Sequence, residues 1–196
     1  MSVDHPSNDH PSIDDVIRAR RTNMFVDRER PLSDDVIHEL CELATWAPNH
    51  KRNWPWRFAS VTGAGRSRLG RVVSNAMAAH GDDPNKVTKA LTKYERTPNI
   101  LIIGSTVGDT DERTAENRDA GAAGAQNLML AATARGIATY WGSCPRGSHE
   151  AVADFAGFDP GTHIVGIFYM GHQSATMEVP VRPDPVINVI VSRRSR

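Results

Sequence analysis

The chain has 196 residues, with 23 Lys+Arg, 23 Asp+Glu and a formal net charge of zero. This length suits one domain or one subunit of an interlocked dimer, and the balanced charge argues against a dedicated nucleic-acid-binding protein, which would show a basic excess. Neither a membrane helix of roughly 20 apolar residues nor a disulfide or zinc framework is expected, because no apolar run is long enough and Cys41 and Cys144 are the only cysteines.

Residues 1–11 are predicted to form a flexible tail, since Pro, Asn, Ser and Asp dominate them. The motif Asp-His-Pro-Ser occurs twice, at 4–7 and 9–12, but two short repeats in a flexible arm do not predict a metal site. The tail has neither the basic region nor the apolar core of a signal peptide. Together with the low cysteine count, this favours a cytoplasmic location.

The first predicted helix spans Ile13–Arg21, is capped by Ser12, and ends in Arg20-Arg21-Thr22. We expect Ile13, Val16 and Ile17 to be buried. Two arginines at a helix C-terminus are favoured by the helix dipole in any case. The alternative is an anion site, because guanidinium groups beside a hydroxyl suit a phosphate.

A second predicted helix begins after Ser33 and ends at Pro48. The loop at 49–58 that follows carries three cations, two indoles and an imidazole. This mixture favours a flat, anionic ligand. The alternative is a surface loop whose Pro55-Trp56 pair fills the core, and Trp56 is expected to be buried on either interpretation.

A strand at 58–62 leads to a glycine-containing turn at 63–70. The turn lacks the spacing of a dinucleotide fingerprint and the Lys-Ser/Thr of a P-loop, so we interpret it as an ordinary strand-to-helix turn. A polar helix is predicted at 84–95, a buried strand at 99–106, and a turn at 108–113.

The stretch 118–144 predicts one long helix and then a short strand. Small residues recur along the helix at steps of three and four, a pattern that suits close packing on a sheet or partner subunit, or simply a buried core helix. Gly136 is expected to end the helix. A strand at 137–141 follows, and Gly142-Ser143 opens a turn whose backbone amides are available to a ligand.

A short helix at 148–156, a buried strand at 163–170 and an extended arm at 173–196 complete the chain. The order is helix, helix, strand, helix, helix, strand, helix, strand, helix, strand, arm. We therefore predict an α+β protein with three α/β/α layers, in which 12–196 form one domain.

No catalytic set of side chains is apparent. A Gly-x-Ser-x-Gly elbow and a cysteine beside a base are both missing, and the histidines at 149, 163 and 172 lack metal-ligand spacing. Polar residues without a nucleophile favour a bound cofactor as the carrier of the reaction. The groups available to hold such a cofactor are Arg20, Arg21, Thr22, His50, Lys51, Arg52 and the Trp141-Gly142-Ser143 turn. They match the needs of a flavin mononucleotide (FMN), although composition alone does not distinguish FMN from other anionic cofactors.

At these residues the chain resembles the nitroreductase family, specifically the small bacterial NAD(P)H nitroreductases. Arg20-Arg21-Thr22 is similar to the family's Arg-Arg-Ser, and 47–51 with 55–58 (APNHK and PWRF) are similar to its Ala-Pro-Asp-His-Lys and Pro-Trp-x-Phe. The stretch 119–143 resembles a long helix followed by Trp-x-Ser, and 164–171 resembles the strand before a Gly-x-Pro turn.

The resemblance implies a nitroreductase-like fold: a central mixed sheet flanked by helices, with a C-terminal arm that extends to a partner subunit. It implies a homodimer with FMN at the interface and phosphate and ribityl contacts from Arg20, Arg21 and Thr22. His50, with Lys51 beside it, would come from the neighbouring subunit, and the ring would lie against Trp141, Gly142 and Ser143.

The implied reaction is ping-pong hydride transfer, from NAD(P)H to flavin N5 and then to a nitroaromatic or quinone acceptor. No residue is assigned a catalytic role of its own, and no metal, nucleic acid or membrane is expected. The chain departs from the family pattern at Trp46, Arg52, Trp54 and 23–25, and Arg182 is a weak candidate for a further phosphate contact. A flavin sensor or store, and a member with other flavin chemistry such as dehydrogenation or flavin breakdown, remain alternatives.

Overall fold

The computed structural model describes residues 11–190, so the predicted tail lies outside the described residues except for Pro11. The predicted order of helices and strands is confirmed. The elements are α1 (Ile13–Ala19), α2 (Asp34–Thr45), β1 (Trp56–Val61), α3 (Ala64–His80), α4 (Pro84–Lys93), β2 (Asn99–Ser105), α5 (Asp111–Ala134), β3 (Ile137–Gly142), α6 (His149–Phe155) and β4 (His163–His172).

The four strands form one sheet in the order β1-β2-β4-β3, and every neighbouring pair is antiparallel. The expected mixed sheet is therefore corrected to an antiparallel one, and within residues 11–190 a parallel pairing occurs only as an isolated bridge between Thr22 and Thr139. All seven residues of β2 are buried, as its continuous apolar sequence predicts for a strand that is covered on both faces.

Alternate residues of the central strands face two separate helical layers, which confirms the three-layer α+β architecture. Leu101, Ile103 and Phe168 pack with apolar residues of α2 and α5. Ile100 and Ile102 pack on the opposite face with apolar residues of α3, α4 and α6. The side chains alternate because successive residues of a strand point to opposite faces.

Helix α5 begins seven residues earlier than predicted. The stretch at 108–113 is not all turn, because the Thr110 hydroxyl caps the helix and the backbone N–H of Arg113 donates to it at 3.1 Å. Gly124 lies so close to α2 that a Cβ there would approach the carbonyl oxygen of Ala44 to 2.9 Å. The small residues of α5 thus permit close helix packing, and Gly136 follows the helix with a φ of 66°.

The first helix ends at Ala19 rather than Arg21. The expectation that Ile13 and Ile17 are buried is wrong for the single chain, since they are 64% and 51% exposed, whereas Val16 is buried. The helix is only two turns long, so one apolar position is enough to dock it. Within residues 11–190, no helix is both long enough and apolar enough to span a membrane.

Candidate functional site

Arg20, Arg21 and Thr22 line a surface pocket of about 320 Å³, which we call the arginine pocket. Its opposite wall is the first part of the C-terminal arm. The arm contributes Met177, Glu178, Pro180 and Arg182. Three guanidinium groups from two distant parts of the sequence therefore surround one concave surface, as an anion site requires.

The arginines of this pocket are not neutralised within the described chain. None of the ion pairs found in residues 11–190 includes Arg20, Arg21 or Arg182, although Glu178 is part of the wall. Partial burial lowers the pKa of Arg20, and the positive charges of Arg182 and Arg21 lower it further. A bound anion would relieve this repulsion.

Arg21 contains a donor that the protein leaves unused. Its Nη1 donates to the carbonyl oxygen of Arg20 at 2.7 Å, but its Nε is buried and lacks a partner among the described residues. Leaving a buried donor unpaired costs about 1–3 kcal/mol. The unpaired donor therefore belongs to a side chain that lines the arginine pocket and that a bound anion would contact.

The segment that follows the arginines runs beside the edge strand β3. Thr22 forms a parallel bridge with Thr139, and the Asn23 N–H donates to the Thr139 carbonyl at 3.0 Å. A neighbouring pocket of about 380 Å³ extends from Arg21 to Ile137 and Ala138 of the same strand. The arginine pocket and the strand that carries 141–143 thus share one edge of the sheet.

Residues 141–143 present one flat side chain and one exposed hydroxyl where β3 ends. The prediction that a turn opens at Gly142 is wrong, because Gly142 is the last residue of β3 and pairs with Ile167. The Trp141 ring lies against Phe168, with ring centroids 5.1 Å apart, and its indole N–H donates to the Val165 carbonyl at 3.1 Å. Gly166 provides the space for this ring, because a Cβ there would collide with the indole. Trp141 and Ser143 are exposed and Gly142 is buried, so the end of β3 offers a rigid aromatic wall to a ligand.

His50 and Lys51 lie on a different part of the molecule, in a short 3-10 turn after α2. The Nδ1 of His50 is 2.6 Å from a carboxylate oxygen of Glu116 on α5. The loop is fixed further by Trp56, which is 6% exposed and donates to the Ala120 carbonyl at 2.8 Å. This confirms that Trp56 fills the core.

The single chain therefore brings the predicted residues together in part. Arg20, Arg21 and Thr22 share the arginine pocket, and Trp141–Ser143 follow along the strand that Thr22 bridges. His50 and Lys51 border separate surface pockets and not this one. Glu116, 66 residues from His50, has no sequence feature that marks it as a partner.

The surface pockets contain no metal-binding cluster in the described residues, since no group of three or more His, Cys, Asp and Glu side chains converges within 11–190.

Cys41 and Cys144 are both unpaired. Burial raises the pKa of Cys41 to about 12, which leaves it protonated and unreactive at neutral pH.

Comparison with known proteins identifies relatives along most of the chain. The model of the nitroreductase family matches residues 17–172. The Escherichia coli K12 protein named "Putative NAD(P)H nitroreductase YdjA" is 28% identical over 154 residues, covering 77% of this chain and 84% of its own.

Two solved structures are also similar. A nitroreductase-like family protein from Bacillus cereus superposes with a TM-score of 0.75 at 26% identity, covering 89% of this chain and 92% of its own. A nitroreductase with bound FMN from Bacteroides fragilis gives a TM-score of 0.72 at 20% identity, with 92% and 99% covered. Because the family model spans well over half of the sequence and the architecture agrees, the chain belongs to the nitroreductase family.

Proposed function

We propose that the protein is an FMN-dependent NAD(P)H oxidoreductase that reduces a nitroaromatic or quinone acceptor. The observation that carries this proposal is the arginine pocket: three guanidinium groups without ion pairs within 11–190, and a buried Arg21 Nε that has no partner there. The names of relatives support it, since YdjA is named as a putative NAD(P)H nitroreductase and the Bacteroides fragilis protein binds FMN.

The residues present fit FMN. The phosphate would accept hydrogen bonds from Arg20, Arg21 and the Thr22 hydroxyl, with Arg182 of the arm closing the pocket. An uncharged cofactor would leave the three cations without compensation. A phosphate carries enough negative charge and enough acceptor oxygens to pair with all of them.

The isoalloxazine ring would lie by residues 141–143 at the end of β3, where the exposed Trp141 ring supplies a flat wall. This end of the strand keeps its shape because Trp141 is fixed to Val165 and because Gly142 lies close to Tyr169. A bound FMN would supply two-electron hydride chemistry at N5, which is what a ping-pong exchange between NAD(P)H and the acceptor requires. The protein's own part is to hold the phosphate, orient the ring and limit access of water.

We propose that the active form is a homodimer. The arm from Met177 to Ile190 carries strongly exposed apolar residues, among them Val181 at 97% and Ile190 at 96%. Ile13 and Ile17 are also exposed. A partner subunit would cover such surface, and the extended arm suits contact with that partner. The dimer would bring His50 and Lys51 of each subunit to the other subunit's flavin. We also propose that the protein is located in the cytoplasm.

The test begins with the absorption spectrum of the purified protein after incubation with FMN and desalting. We expect a flavin spectrum, bleaching by NAD(P)H in the absence of oxygen, and NAD(P)H consumption with a nitroaromatic or quinone. We also expect Arg20→Ala to lose FMN on dialysis, while Arg28→Ala, an exposed arginine outside the pocket, retains it. Protein that takes up no FMN would refute the proposal; FMN that NAD(P)H cannot reduce would favour a flavin sensor or store.

A further inference from the structure

The loop between α2 and β1 contains a concentration of backbone strain. Lys51, Arg52 and Trp54 have φ values of 50°, 56° and 50°, and they are the only residues other than glycine with positive φ in the part of the chain that the structure describes. Each such residue costs of order 1–3 kcal/mol. Strain of this kind persists where the surroundings hold it in place, and it is concentrated at ligand sites.

Contacts with α5 hold the loop in this conformation. His50 pairs with Glu116 at 2.6 Å, and the Asn53 side chain donates to Asn117 at 3.3 Å. The buried indole of Trp56 anchors the far end of the loop to the same helix. The chain is therefore fixed at both ends of the strained segment.

The strained backbone carries an exposed cation and an exposed aromatic ring two residues apart. Arg52 is exposed, and its guanidinium forms no hydrogen bond or ion pair with any residue in 11–190. Trp54 is 58% exposed. Its ring meets Trp56 at a centroid distance of 6.2 Å and an angle of 52°, an arrangement that supports the ring and leaves part of it free. The segment from 49 to 54 contains no acidic residue.

We propose that Arg52 and Trp54 form an acceptor subsite that selects aromatic anions over neutral aromatics. The guanidinium would pair with a carboxylate or phenolate of the acceptor, and the indole would contact its ring. This inference rests on the proposed function, because the loop reaches a flavin only if His50 and its neighbours contribute to the partner's site. It goes further by assigning a substrate class to Arg52 and Trp54.

The experiment compares 4-nitrobenzoate with 4-nitrobenzamide, two acceptors of similar shape that differ in charge, at saturating NADPH. Wild-type protein should show a higher kcat/KM for the benzoate. Arg52→Asn should reduce the ratio of the two kcat/KM values by about two- to fivefold, the size of one exposed charge pair, and Arg52→Lys should largely preserve it. Asparagine is chosen because it tolerates positive φ better than most residues.

Trp54→Asn should lower kcat/KM for both acceptors by a similar factor of about three to five, without changing their ratio, because one aromatic contact is lost. Arg28→Ala serves as the matched control for loss of an exposed arginine, and anaerobic reduction of the flavin by NADPH should be the same in all variants. An unchanged ratio in Arg52→Asn, with FMN content and flavin reduction intact, overturns the subsite alone. Absence of FMN binding or flavin reduction in the wild type overturns the proposed function and the subsite with it.

Discussion

The replacement Arg21→Lys tests the arginine pocket most directly, because it keeps the positive charge and removes the Nε donor. In the free protein the Nε of Arg21 is buried and without a partner in the described residues, and lysine has no atom equivalent to it. We therefore expect opposite effects on the free protein and on the flavin complex.

The magnitude follows from the hydrogen bond that the variant cannot form. A hydrogen bond between a charged group and its partner contributes about 1.5–3 kcal/mol, which corresponds to about a 10- to 150-fold rise in the Kd for FMN. In the free protein, removal of an unpaired buried donor should leave the melting temperature unchanged or raise it. The bond from Arg21 to the Arg20 carbonyl, at 2.7 Å, is also lost and reduces this gain.

The assay is quenching of FMN fluorescence on titration with flavin-free protein, combined with thermal melts with and without FMN. The wild-type melting temperature should rise with FMN concentration as expected for a ligand that binds only the folded state, and the rise should shrink in Arg21→Lys. A Kd within twofold of wild type would refute the assignment of Arg21 to the phosphate. A lower melting temperature of the free variant with an unchanged Kd would make Arg21 a structural residue.

Three further predictions concern stability and are measured by urea unfolding or thermal melts. Trp56→Phe should lower the free energy of unfolding by about 1–2 kcal/mol, since it removes the 2.8 Å bond to the Ala120 carbonyl; an unchanged value would contradict this. Gly124→Ala should destabilise, because a Cβ 2.6 Å from the Trp56 Nε1 costs about 1–3 kcal/mol in overpacking against a helix-propensity gain of about 1 kcal/mol; a higher melting temperature would show that the contact relaxes freely. Burial lowers the pKa of His163 and of His149, which stacks on it at 5.5 Å, so the folded state binds fewer protons than the unfolded state and stability should fall as pH drops below the ordinary histidine value of 6.5. His163→Asn should flatten this decline, and an identical pH profile would contradict it.

Much of the fold could be predicted from local sequence. The continuous apolar run of β2 predicts a buried strand, and the small-residue stripe of α5 predicts a closely packed helix. The start of α5 was misplaced because its first turn is polar, and a polar stretch is predicted as a turn unless its cap at Thr110 is noticed. The exposure of Ile13 and Ile17 does not follow from the sequence, because an apolar helix face predicts burial but not whether the covering surface belongs to the same chain or to a partner subunit.

The local sequence of Arg20-Arg21-Thr22 determined the chemistry of the candidate phosphate site, because guanidinium and hydroxyl groups next to each other suit an anion wherever the chain places them. Only the tertiary structure decided that Arg182, some 160 residues later, closes the same pocket and that Arg21 keeps a donor unpaired there. Pocket closure depends on the path of the arm after β4, and donor satisfaction depends on every neighbouring atom. Both depend on contacts between segments that are distant in the sequence, whereas a residue pattern predicts only the structure of neighbours along the chain.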